Sequence, residues 1–557
     1  MSLGRILRHV VVYGLLVVGA VAFSFPFLWM ASTSVKVDRE LYSEGIQLIP
    51  LTPVPRGRSP YVDDRYYPKP QEPLADERLA EFARLARATG FEIPPEVDGG
   101  AAEEQIARGL YKKLAQRIPK EVWSGSDAGR LRAAAAQEIT RQAVQEVFGN
   151  VYRRFTLGKI LVRSQELEEE ELGRRLPGLP EPAPISARLE NLTPGVASLA
   201  EREEKKARFA VVGYDFGQGG KAVLSRTFEL GFEAARLQRI RLSLQPDDTW
   251  HEVWLTVERN GKRYESERGL VLANYQPVTA TWQEPGPDDH STKIKTWILL
   301  NEVPGAKSDA AGPRQVKLTF ELRRVTPSGA WANKLALNYI RTTDAMPLWR
   351  YIRVSLFLVG ANILLAIFSS SLVAYAFARL NWPGRDFCFV LMLSGMMVPA
   401  QVTMIPHFLI WKNLGAYDTL SPLWLGSAFG SAFFIFLMRQ TLLGIPRDLE
   451  DAARIDGCGF FRIYWHIMLP LVGPSLAAIA IFTFMGCWND FMGPLIYLAD
   501  QRLYPLAFGL YAFSVQVGSN NILTMAASLI MTVPVIIIFF FAQKYFIQGI
   551  TMSGMKG

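Results

Sequence analysis

At 557 residues the chain is too long for one compact domain. It is 49% apolar and carries a formal net charge of +8. The Lys and Arg residues gather on no recognisable nucleic-acid motif, whereas the apolar residues come in long runs, so the basic balance reads as membrane topology and argues against a nucleic-acid partner.

The first apolar run is VVVYGLLVVGAVAFSFPFLWM, residues 10–30, which has no charge and is long enough to span a bilayer. It follows Arg5 and Arg8. GAVA could precede a signal cleavage site, but the run continues through Phe23 to Trp29, too long for a signal h-region. Residues 1–30 are therefore expected to hold an uncleaved first transmembrane helix.

Residues 31–349 form a very long loop with two textures. Over 71–165, segments such as EEQIARGLYKKLAQRI repeat apolar residues at three- and four-residue steps, which predicts helices. SQELEEEELGRRLPGLPEPAP then reads as a charged helix end and a Pro-rich linker. Over 205–326, runs such as EVWLTVER and QVKLTFELRRV alternate apolar and polar residues, and RNGK at 259–262 is a hairpin turn signal. An antiparallel β-sandwich is expected there, behind a helical stalk. The loop holds none of the three cysteines and so has no internal disulfide. Glu252 with Glu258, or Asp247 with Asp248, are the carboxylates an envelope polysaccharide enzyme would use, but solvated strand ends explain them more simply.

Five more apolar runs fill the last third, at about 354–378, 387–408, 422–438, 471–497 and 522–543. Residues 350–557 are thus expected to be a five-helix core, and six spans put both termini in the cytoplasm and the insertion outside. The predicted inner segments hold Arg379, Arg385, Arg439, Arg447, Arg454, Arg462, Lys544 and Lys556, while the short outer loops hold little beyond Lys412 and Arg502. Arg350 and Arg353 oppose the rule, beside a loop long enough to weaken it. Cys388, Cys458 and Cys487 lack metal-ligand spacing and the five His are scattered, so they read as packing residues and no metal site is expected.

Between the fourth and fifth runs lies a charged segment, within 441–470, that this topology places in the cytoplasm. IPRDLEDAARIDG reads as a short helix, with Pro446 at its start, Asp448, Glu450 and Asp451 in its first turns, and Gly457 closing it. Its charges are expected to sit in water, and Ala452 and Ala453 to leave a low surface that another protein can approach. FFRIYWHIML follows as an aromatic-rich helix, and Pro470 marks where the next span begins. A helix–Gly–helix on the rim would act as a lever; the plain alternative is a solvated loop. Further on, Trp488, Asn489 and Asp490 lie about 18 residues into the fifth run, roughly 27 Å along a helix. They read either as a helix cap in the interface or as lining of a path or outer gate.

The rim segment resembles the signature loop of ABC importer permeases, E-A-A, three residues, G, nine residues, I-x-L-P. Here it runs Asp451-Ala452-Ala453, Gly457, then nine residues to Ile467, Leu469 and Pro470, with Asp in place of the first Glu. FPFLWMASTSVK, AYAFARLNWPGRDF, MMVPAQVTMIPHFLIWKNLGAYDT, IFTFMGCWNDFMGPLIYL and FAQKYFIQGITMSGMKG resemble the carbohydrate-uptake branch, specifically the maltose-type second permease. The likeness covers about 50 residues at the start and everything from about 337; residues from about 60 to 335 look like an insertion.

The resemblance implies a mainly α membrane protein of six transmembrane helices with an inserted extracytoplasmic α+β region, in a bacterial inner membrane. It implies a second permease, two ATPase subunits, an extracytoplasmic solute-binding protein and a sugar as partners. The coupling residues it points to are Glu450, Asp451, Ala452, Ala453, Asp456, Gly457, Ile467, Leu469 and Pro470. The tail residues Met555, Lys556 and Gly557 would contact the ATPase pair, where composition alone allows a disordered end. No catalytic or cofactor-binding residue is expected: the Gly-Lys pairs at 158–159, 220–221 and 261–262 are followed by Ile, Ala and Arg, so ATP and Mg²⁺ would belong to the ATPase subunits. A membrane-anchored binding or sensor protein is the rival class, but an anchor needs one or two spans.

Overall fold

The computed structural model describes residues 3–41, 48–72, 74–123, 128–166, 168–172, 189–204, 207–285, 297–306, 310, 312–518 and 520–551. The chain begins with helix α1 (Leu3–Ser34), which extends the predicted run in both directions. Two compact units follow from the contacts: one holds Met1–Lys36 and Leu337–Gly557, the other Val37–Asp289 and Thr296–Ala336.

The second unit has two cores. Helices α2 (Ala75–Ala88), α3 (Gly99–Arg117), α4 (Ala128–Glu138) and α5 (Arg141–Val151) surround Phe82, Ile106, Leu110, Leu114, Val144 and Val147. Asp98 caps α3 by accepting the Gly100 and Ala101 N–H groups, and Thr140 caps α5 by accepting that of Ala143. The helical texture expected over 71–165 ends at Val151, because FTLGKILVRS is a strand, β1 (Phe155–Ser164), whose alternate side chains are buried.

The main strands continue as β2 (Ala207–Asp215), β3 (Lys221–Glu229), β4 (Leu237–Gln245), β5 (Glu252–Arg259), β6 (Lys262–Ser266), β7 (Val278–Gln283), β8 (Ile298–Glu302) and β9 (Gln315–Arg323). They form one hydrogen-bonded path in the order β2-β1-β4-β7-β8-β6-β5-β9-β3. Neighbours pair antiparallel except β7 and β8, which run parallel and join the two halves. The inward residues of both halves share one core: Leu157, Ile160 and Leu242 from one, Val253, Leu255, Leu318 and Phe320 from the other. In the β5–β6 hairpin Arg259 faces Lys262, and Asn260 and Gly261 take φ of 47° and 72°. That is the left-handed turn that Asn-Gly supplies at least cost.

Beside the sheet lies a buried polar cluster. Arg39 bridges Asp63 (3.0 Å) and Asp248 (2.7 Å), and Tyr214 donates to Asp247 (2.6 Å). Asp247 and Asp248 are thus neither solvated strand ends nor an open carboxylate pair. Glu258, the penultimate residue of β5, is also buried and faces Lys317 of β9 rather than water. Helix α6 (Pro327–Ala345) supplies Lys334, which forms a buried ion pair with Glu40.

The other unit is helical. Helices α7 (Leu348–Arg379), α8 (Arg385–Ser394), α9 (Ala400–Asn413), α10 (Ala432–Leu443), α11 (Asp448–Ile455), α12 (Phe460–Leu471), α13 (Gly473–Trp488), α14 (Leu506–Val517) and α15 (Asn521–Thr551) follow in order. Among the described residues four segments are long and apolar enough to cross a membrane singly: Val11–Ser34, Leu348–Arg379, Ser421–Leu443 and Asn521–Phe541. The number reaches six only if each of two bent pairs is one span. The expected third span is broken by 100° between α8 and α9. Its cause is Pro399, which drives Val398 out of helical geometry, to ψ 121°. The expected fifth span starts at Gly473, after a 78° bend, and ends at Trp488. Helix α14 lies where an outer loop was expected. Its Gly509 lets the helix approach α7 closely, since a Cβ there would meet the Tyr351 ring at 2.3 Å.

Candidate functional site

The rim segment is built from α11 and α12. Helix α11 stops because Gly457 takes φ +80°, a region that costs glycine nothing. The Gly457 N–H donates to the Arg454 carbonyl (3.0 Å) and the Cys458 N–H to that of Ala453 (2.9 Å), the paired bonds of a Schellman end. Gly459 is extended and starts α12, whose middle, Tyr464–Met468, is a π-turn. The widening precedes Pro470, which has no N–H for a regular helical bond.

The charges of α11 do not all sit in water. Glu450 is buried, with Oε1 3.0 Å from Arg379 Nε at the end of α7 and Oε2 3.7 Å from Arg454. The cause is placement: one face of this amphipathic helix packs on α7 and α10, and Glu450 and Ala453 are on that face. Ala452 alone of the alanine pair is on the open side, with Asp451 and Asp456. That open side is also apolar. Leu449, Ile455, Phe460, Phe461 and Trp465 are exposed, Ile455 to 87%. Ile467 and Leu469 are half-buried against the helical core, and Pro470 is exposed. The rim segment therefore presents an apolar ridge edged by Asp451 and Asp456, on a rigid base.

The other predicted residues separate from this site. Trp488 is buried; its indole donates to the Met531 carbonyl (3.1 Å) and stacks on Phe484. Asn489 is exposed and donates to the Met485 carbonyl (2.9 Å), and Asp490 accepts the Gly493 N–H (3.1 Å). Trp488 thus packs α13 against α15, and the contacts of Asn489 and Asp490 are those of a helix end. Met555, Lys556 and Gly557 lie outside the described residues. Sequence reasoning missed Arg379, weighed only as a topological charge, and Tyr464, whose hydroxyl meets Ser371 of α7 at 2.7 Å. The available signal was spacing: Ser371, Tyr375 and Arg379 recur every fourth residue, on one face of α7.

Residues 362–552 match the family model described as binding-protein-dependent transport system inner membrane component. The arabinooligosaccharides transport system permease protein AraQ of Halalkalibacterium halodurans is 38% identical over 215 residues, 39% of this chain and 77% of that protein. AraQ of Bacillus subtilis is 40% identical over 193 residues, 35% of this chain and 68% of that protein. A chain in the crystal structure of a bacterial ABC transporter involved in the import of the acidic polysaccharide alginate is 28% identical, covering 38% of this chain and 79% of that one, with a TM-score of 0.33. It is the two sequence relatives, matched over most of their length, that establish the kinship: the chain belongs to the family of binding-protein-dependent ABC importer permeases, in its carbohydrate branch.

Proposed function

We propose that this chain forms half of the translocation path of an ATP-driven importer for a sugar or oligosaccharide, and that α11 and α12 couple it to ATPase subunits. The observation carrying this reading is the rim ridge: an exposed apolar surface on a helix whose opposite face is fixed by a buried ion pair. A merely solvated loop has no reason to hold Leu449, Ile455 and Phe461 in water, and an apolar patch of this kind fits a protein partner. Asp451, Ala452 and Asp456 form its polar edge, and Gly457 sets the angle between its two helices. ATP and Mg²⁺ are bound by the partner, whose closure moves the rim. A second permease completes the path, and an extracytoplasmic binding protein delivers the substrate. In this arrangement both termini are cytoplasmic, the tail around Lys556 meets the ATPase pair, and the unit built from residues 37–336 is extracytoplasmic. Asn489, the exposed member of its trio, faces the path or its outer gate.

Purification of the chain in mild detergent tests the class. Copurifying ATPase subunits are expected, with loss of binding when Ile455 and Phe461 are both replaced by Asp. A wild-type chain recovered without any ATPase would favour an anchored binding protein.

A further inference from the structure

The coupling segment touches the membrane helices at two tied points, and both are on one face of α7. Arg379 is the last residue of α7 and is buried. Its Nε lies 3.0 Å from Glu450 Oε1, while its Nη2 donates to the Leu442 carbonyl and, at 2.7 Å, to that of Ile445. The Leu442 carbonyl is in the last turn of α10 and that of Ile445 lies two residues beyond its end, where carbonyls are open to donors from other elements. One guanidinium thus fastens α7, α10 and α11 together. Two turns back along α7, Ser371 meets the Tyr464 hydroxyl of α12 at 2.7 Å, and both residues are buried. Between these points Tyr375 packs its ring 5.4 Å from that of Tyr464.

The bland reading of Arg379 is a cap for α10. A cap alone would not need a buried carboxylate, which is costly to bury unless paired. Nor would it explain why α12 is tied to the same face four and eight residues back. Resting on the coupling role proposed above, we infer that the Ser371, Tyr375, Arg379 face of α7 is the receiver of the coupling movement. Glu450 and Tyr464 are positioning residues that make α11, α12 and the inner end of α7 move as one body. Displacement of the rim ridge is then passed to α7 first and reaches α13 and α14 through it.

The test uses the full complex in nanodiscs, with Cys388, Cys458 and Cys487 replaced by Ser and spin labels on introduced cysteines. The probes are ATP with vanadate and the nucleotide-free state. With labels at Arg447→Cys and Leu372→Cys, the distance distribution is expected to be the same in both states. With labels at Arg447→Cys and Phe541→Cys it is expected to shift. A change in the first pair on trapping overturns the one-body inference. No change in the second pair means that the rim does not respond to nucleotide, and then the coupling role itself fails. Glu450→Met should broaden the first pair's distribution and lower transport per ATP by about tenfold in assembled complex, a typical coupling loss. Should Glu450→Met fail to assemble, Tyr464→Phe keeps the test, because Ser371 still donates to the Phe368 carbonyl (3.2 Å). Tyr464→Phe is expected to lower transport per ATP about threefold, the worth of one hydrogen bond, and unchanged coupling there overturns the inference.

Discussion

Lys334 and Glu40 meet as a buried ion pair although 294 residues separate them. Glu40 opens the unit that Lys334 closes, so the pair fastens its first and last segments to each other. Lys334 also donates to the Leu51 carbonyl, and the second Glu40 oxygen accepts the Leu51 N–H (3.0 Å). Removing Lys334 takes the ion pair away from the buried Glu40 carboxylate. Lys334→Met is therefore expected to destabilise this unit by about 3–5 kcal/mol. Limited proteolysis of the detergent-solubilised chain should show accelerated cleavage within 37–336, and protection equal to wild type would refute the fastening role.

Gly457→Pro is expected to leave the chain inserted but to uncouple transport from ATP hydrolysis. Proline fixes φ near −65°, whereas Gly457 has φ +80°, so the turn between α11 and α12 must be rebuilt. A stable Gly457→Pro complex with wild-type uptake would end the lever account.

Topology is open to thiol labelling once Cys388, Cys458 and Cys487 are replaced. Gln137→Cys, on the exposed side of α4, should react with an impermeant reagent in intact cells, after outer-membrane permeabilisation where such a membrane exists. Asn381→Cys, exposed between α7 and α8, should react only after lysis. The reversed pattern would invert the orientation.

His251 gives the second unit a pH dependence. Its Nε2–H donates to the Arg56 carbonyl (2.7 Å) and its Nδ1 accepts the Val325 N–H (3.1 Å), which fixes the neutral ring. Burial pulls its pKa below the ordinary value, against the opposing pull of the Arg56 hydrogen bond. A depressed pKa means that the unfolded chain takes up the proton first. Stability contributed by the neutral ring is present above about pH 6.5 and falls as the pH drops through the folded value. Thermal melts of wild type and His251→Gln should converge in their pH dependence only if His251 is not the titrating group; a flatter acid limb in the variant is expected.

Replacing residues 62–335 with a short flexible linker tests the inserted unit. If it helps to hold the binding protein, the complex should keep its ATPase but lose stimulation by loaded binding protein. Unchanged stimulation and concentration dependence would assign the unit to another envelope component.

What could be read in the chain followed from local rules. Asn260-Gly261 fixes its hairpin because few other pairs tolerate two left-handed residues, and Val316, Leu318, Phe320 and Leu322 show their strand by alternation. Hydropathy marks where apolar chain lies but not where it bends, so the break at Val398-Pro399 was hidden inside a run that reads as uniform, while the helix Leu506–Val517 is too short to register as a span and read as part of a loop. The spacing of Asp451, Ala452, Ala453 and Gly457 located the rim segment. The burial of Glu450 was not legible, because its counter-charge comes from another helix and single-sequence reasoning treats a lone carboxylate as solvated.

Helix α7 carries Arg350 and Arg353 near one end and Arg379 at the other, with 354–378 uncharged between them. Those 25 residues measure about 37 Å at 1.5 Å each, against a hydrocarbon layer of about 30 Å. Sliding along the membrane normal by more than the difference, about 7 Å, would bring a guanidinium into the hydrocarbon at one end or the other. Leaning, or turning about its own axis, costs no such immersion. In the arrangement proposed above, a piston stroke of this helix is thus capped at about 7 Å, and any larger movement it relays must be a change of tilt or rotation.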